Sequence, residues 1–176
     1  INEMLLKLNL NILFWLQANI FNICIIFLFC FIQMSLNFLT IFKISQPYLI
    51  VIIIFLLLRN SKKTISEILL IFFGVIFDIL TGTILGMHSL LFFLIKLFLD
   101  FFELKFKISK KLGEWILFSL VYFSSLLVTK LVFIVATFKF PDMFAIIFNL
   151  GSTLLIFPLV RFLIDLPKLF FNLVGK

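Results

Sequence analysis

Charge is what this chain has least of: 13% of its 176 residues are charged, against 64% hydrophobic, and the mean hydropathy is +1.32. A water-soluble domain of that size could not cover its surface from so small a polar supply. The composition therefore excludes the soluble classes and reads as an integral membrane protein. Alternation is missing as well. The apolar runs are continuous rather than alternating over ten-residue segments, which excludes a β-barrel. Catalytic sets are absent: the single histidine has no Cys or Ser nucleophile arranged around it, and no H-E-x-x-H or paired-carboxylate motif appears. There is no Gly-rich phosphate loop and no D-G-x-x-A-R signature of membrane head-group transferases. No enzyme, cofactor or metal is expected. Alanine is nearly missing (Ala18, Ala136, Ala145) beside 28 phenylalanines, a bias that fits an AT-rich genome and weakens arguments from single Phe residues. Cys24 and Cys30, six apart in one apolar run, point to different helix faces without a nearby His. They read as small buried hydrophobes rather than a disulfide or metal pair.

What is present is a series of apolar runs. A spanning helix needs about 20 apolar residues, and six helices are expected, at 10–32, 47–58, 66–80, 84–102, 115–138 and 143–164. The first run is too long for a signal-peptide core and should stay in the protein. Asn11, Asn19, Asn22 and Gln33 fall in one quadrant of it, a polar stripe that reads as interhelical hydrogen bonding. The second run, opened by Pro47, is short and is expected to borrow flanking residues or sit where the bilayer thins. The whole chain forms one domain, an all-α bundle of six transmembrane helices.

Orientation follows from the basic residues. With both termini cytoplasmic, Lys7, Arg59, Lys62, Lys63, Lys105, Lys107, Lys110, Lys111, Lys168 and Lys176 lie inside, and only Lys43 and Lys139 outside. Trp115, beside Lys110 and Lys111, fits an interfacial anchor. The net charge of +7 then sits mostly on the cytoplasmic face, where anionic lipid head groups account for it. Nucleic acid is not indicated, because the lysines flank helices without aromatic interleaving.

Residues 74–89 stand out. This stretch places Asp78, the hydroxyls of Thr81, Thr83 and Ser89, and three glycines inside an otherwise apolar run. An acid at membrane depth is costly, about 2.5–3.5 kcal/mol on insertion scales, and faces protein or water. Gly74, one turn before Asp78, lets a neighbouring backbone approach closely. Gly82 and Gly86 bracket a short, sharp connection. Three polar groups, Asp78, His88 and Lys130, are expected at similar depth in the outer half, and an Asp78–Lys130 ion pair is the expected pairing. Lys96 and Asp100 form an i, i+4 pair, with Glu103 one turn on.

The pattern Gly74-x-x-x-Asp78-x-x-Thr81-Gly82-x-x-x-Gly86, followed by an apolar helix, resembles the central motif of the MreD family of bacterial rod shape-determining proteins. The likeness extends to Pro47, the basic turn before the third helix and the basic loop after the fourth. The resemblance implies a non-enzymatic inner-membrane component of the cell-elongation machinery. Its implied partners are a bitopic MreC-like protein and, through it, an MreB-like actin homologue, a RodA-type glycosyltransferase and a transpeptidase. It also implies a fold like that of the substrate-binding subunits of energy-coupling-factor transporters. The alternative is such a vitamin-type transporter subunit itself, which should carry a polar outward pocket and a small-residue surface such as A-x-x-x-A. No alanine pair has that spacing.

Overall fold

The structure, a computed structural model, describes residues 24–35, 46–60, 66–105 and 111–174, with side chains of 113–164 in the last segment. The protein is all-α. The described helices are α1 (Cys24–Ser35), α2 (Leu49–Asn60), α3 (Glu67–Thr81), α4 (Met87–Lys105), α5 (Lys111–Thr137) and α6 (Met143–Val174). Gly113–Thr137 and Met143–Ile164 are each long and apolar enough to cross a membrane. Of the expected polar stripe, Asn11, Asn19 and Asn22 lie outside the described residues.

Helix α2 is the centre of the bundle. Ile50 to Leu56 are all buried to within 2%, so the helix is apolar on every side, the pattern of a core helix. Its neighbours are protein on every side. Its first backbone amides, which lack intrahelical partners, are satisfied from distant segments: Leu49 N–H donates to Gln33 Oε1 at 2.8 Å and Tyr48 N–H to Thr153 Oγ1 at 3.0 Å. Asn149 Nδ2 donates to the Gln46 carbonyl at 2.6 Å, tying the entry of α2 to α6. Around α2, Phe118 stacks on Phe157 at 4.3 Å and meets Phe55 edge-on at 5.1 Å. Three of the many phenylalanines thus join α2, α5 and α6.

Helices α3 and α4 form an antiparallel hairpin. Ser66 caps α3, its Oγ accepting from Leu69 N–H, and Glu67 favours the positive helix start. At the crossing, a Cβ added to Gly74 would lie 2.2 Å from Ser89 Cα, so no other residue fits there without parting the helices. Ser89 Oγ donates to the Ile71 carbonyl at 2.9 Å beside it. Seven residues along each helix, two turns away, Lys96 Nζ donates to Glu67 Oε1 at 2.7 Å. This replaces the expected Lys96–Asp100 pair. The close approach at Gly74 and Ser89 sets the register of the two helices and brings Glu67 alongside Lys96. Helix α4 begins at Met87 rather than 84, because Gly86 at φ 95° belongs to the turn.

Helix α5 carries hydroxyl groups that are satisfied at home. The hydroxyls of Ser119, Ser124, Ser125, Thr129 and Thr137 each donate to a carbonyl three or four residues back, leaving little polarity for the surroundings. Helix α6 runs ten residues past the expected end at 164. Pro158, in its interior, cannot donate to the Leu154 carbonyl. Trp115 Nε1 from α5 donates there instead, at 3.0 Å. Half exposed as it is, the indole that reads as an interfacial anchor also repairs the backbone of α6.

Candidate functional site

The α3–α4 turn gathers the motif residues around Asp78, which is 0% exposed. Gly82 ends α3 in the left-handed region (φ 64°, ψ 26°), its N–H turned to the Asp78 and Ile79 carbonyls. That conformation suits glycine because it has no Cβ. Thr81 Oγ1 donates to the Phe77 carbonyl at 2.7 Å and lies 3.1 Å from Thr83 Oγ1. The chain then doubles back over the carboxylate. Oδ2 accepts from Gly86 N–H at 2.7 Å. Oδ1 accepts from Thr83 Oγ1 at 2.9 Å, from His88 N–H at 3.1 Å and from His88 Nδ1 at 2.6 Å. A carboxylate only accepts, so the imidazole carries its hydrogen on Nδ1. Both oxygens are therefore occupied by donors from the first residues of α4 and the turn before it.

Asp78 is not paired with Lys130. No ion pair joins them among the described residues, and both carboxylate oxygens are taken by donors of its own hairpin. Sequence separation explains the choice: His88 is ten residues away and carried onto Asp78 by the turn itself, whereas Lys130 belongs to another helix. The His88 ring is also fixed by aromatic contacts, edge-on to Phe77 at 4.7 Å and to Tyr48 at 6.0 Å.

Lys130 stands apart, half-buried on α5, its Nζ 5.9 Å from the centroid of the Phe133 ring. It borders three clefts. One, of about 130 Å³, lies between Lys130, Tyr48, Thr83, His88 and Thr129. A second, of about 180 Å³, is lined by Tyr48, Lys130, Asp142 and Asn149. A third, of about 310 Å³, is an almost wholly apolar groove between α5 and α6. The motif thus divides: Gly74, Asp78, Thr81, Gly82 and Gly86 belong to one clasp, and Lys130 to the neighbouring clefts. No family model, curated protein or solved structure matches this chain.

A second buried carboxylate lies at the opposite end of α5. Glu114 is 5% exposed and sits between Arg59 of α2, with Nε 3.3 Å from Oε1, and Arg161 of α6, with Nε 3.2 Å from Oε2. In sequence Glu114 simply follows the basic loop after the fourth helix, and neither it nor Arg161 stands out as half of a pair. The available signal was Arg161 itself, a cation inside an apolar run that needs a counter-charge. Among the described residues no three His, Cys, Asp or Glu side chains gather as a metal site.

Proposed function

We propose that this protein is a multi-pass inner-membrane scaffold of the MreD type, acting in bacterial cell elongation by holding partners rather than by turnover. The observation that carries the reading is the state of Asp78: the one acid of the motif has both oxygens occupied by four hydrogen bonds inside its own hairpin. An acid so engaged serves architecture, since a proton carrier or general base needs an oxygen open to its substrate. Six crossings with cytoplasmic termini agree with the distribution of basic residues. The short α2 is compatible with that count because protein, not lipid, surrounds it. Apolar side chains exposed along α5 and α6, such as Phe123, Leu131, Ile147 and Leu155, suit a lipid environment, and the basic inner face suits anionic head groups.

The partners in this reading are an MreC-like bitopic protein and, through it, an MreB-like filament, a RodA-type glycosyltransferase and a transpeptidase. Depletion in a rod-shaped host is expected to round the cells and disperse the elongation enzymes. The clefts around Lys130 favour a second reading, a substrate-binding subunit of a vitamin-type transporter. Normal cell shape with lost vitamin uptake would select it. Topology is checked separately with Lys107→Cys in a background lacking Cys24 and Cys30: labelling by an external reagent in intact cells contradicts cytoplasmic termini.

A further inference from the structure

Lys130 is a cation without an anion. Its neighbour Asp78 is committed to the hairpin, and no carboxylate lies within ion-pair distance of it among the described residues. Asp142, the acid that shares a cleft with it, turns Oδ1 to the first amides of α6, Phe144 N–H at 3.0 Å and Ala145 N–H at 3.4 Å. That acid is engaged by a helix start. Tyr48 contributes its ring to both smaller clefts, and its phenol has no hydrogen-bond partner among the described residues. On the other side of Lys130 the groove between α5 and α6 is lined by Leu127, Leu131, Ile134, Met143, Ile147 and other apolar residues, with Lys130 as its one charged group. The polar cleft and the groove share Leu126, Lys130, Pro141 and Ile146 as a common wall.

We infer that this groove binds a single anionic acyl lipid, its chain between α5 and α6 and its phosphate head on Lys130 beside Tyr48. The pairing of an apolar trough with one cation, on the wall it shares with the polar cleft, matches an amphiphile of that charge. A neutral apolar ligand would leave Lys130 unanswered, and a small hydrophilic anion would leave the trough unfilled. The groove's volume lies at the lower edge of ordinary ligand sites. The inference rests on the membrane reading above but not on any role in cell elongation.

The test uses the full chain in phosphatidylcholine nanodiscs. Incorporation into the discs is measured first, so a failure of the membrane reading is seen before any lipid preference. Phosphatidic acid and phosphatidylcholine bearing the same photoactivatable acyl chain are then crosslinked in separate samples, and the labelled peptides are mapped. Phosphatidic acid is expected to label the α5–α6 groove roughly fivefold more than phosphatidylcholine, the ratio one basic residue near an anionic head group produces. Lys130→Gln should abolish that preference and Lys130→Arg should keep it. Ile147→Trp, which obstructs the groove and leaves the lysine in place, should reduce labelling by phosphatidic acid even if Lys130→Gln does not fold. Equal labelling by the two lipids, or labelling that Ile147→Trp does not reduce, overturns the inference. Loss of the preference in excess inorganic phosphate also overturns it, by assigning Lys130 to a free anion.

Discussion

Asp78 and Glu114 are both buried carboxylates, but the groups that hold them come from different distances along the chain. The partners of Asp78 are two backbone amides, a threonine and a histidine, all within ten residues of it. Those of Glu114 are arginines from α2 and α6, separate helices that α5 must meet in the folded bundle. One acid closes a hairpin and the other ties three helices together. Hairpin closure depends largely on backbone N–H groups, which no substitution other than proline removes. The three-helix tie depends on side chains alone, which can be exchanged as a set.

That difference can be broken most forcefully by removing each acid. Asp78→Leu leaves Gly86 N–H, His88 N–H and the imidazole N–H buried without an acceptor, at about 1–3 kcal/mol each. No second substitution should restore the folded yield in membranes. Glu114→Leu removes the carboxylate that Arg59 and Arg161 share and should cost about 3 kcal/mol, the lower end for a broken buried pair because both side chains keep some exposure. Here Arg59→Met and Arg161→Met, added to Glu114→Leu, should recover most of the loss, since a buried ionic triad replaced by apolar side chains is often neutral. Folded yield and thermal unfolding in detergent measure both. Recovery of Asp78→Leu by apolar substitution at His88 alone would erase the distinction.

A smaller effect sharpens the first half of the comparison. Gly74→Ala puts a methyl against the Ser89 backbone and should cost about 1–3 kcal/mol by overpacking, at the upper end because backbone cannot swing aside. It should loosen the α3–α4 turn, read as faster amide exchange at Gly86 and His88, while exchange around Glu114 is unchanged. The smallest effect concerns α6. Trp115→Phe removes the donor to the Leu154 carbonyl and should lower stability by about 1 kcal/mol. Adding Pro158→Ala, which supplies a backbone N–H to that carbonyl, should return it.

The all-α architecture and the hairpin were legible in the sequence because they depend on nearby residues. Continuous apolar runs without alternation gave helices, and glycines at 82 and 86 gave a turn whose φ values of 64° and 95° require them. What escaped depends on which helices meet. A depth argument puts Asp78, His88 and Lys130 at one level but cannot choose among them; the turn geometry chooses His88. Lys96 finds Glu67 rather than Asp100 because the register set at Gly74 and Ser89 brings α3 alongside. The centrality of α2 was hidden because a helix apolar on every side reads the same whether lipid or protein surrounds it. Trp115 and Pro158 are unrelated in sequence until α5 and α6 pack.

The central claim, that Asp78 closes its own hairpin, is tested most directly by two double-mutant cycles on thermal unfolding of the purified full chain. One combines Asp78→Asn with His88→Ala, the other Asp78→Asn with Lys130→Met. A coupling energy of about 0.5–3 kcal/mol is expected for Asp78 with His88, as for residues in one hydrogen-bond network, and near-additivity for Asp78 with Lys130. Strong coupling to Lys130 with additivity at His88 would contradict the account.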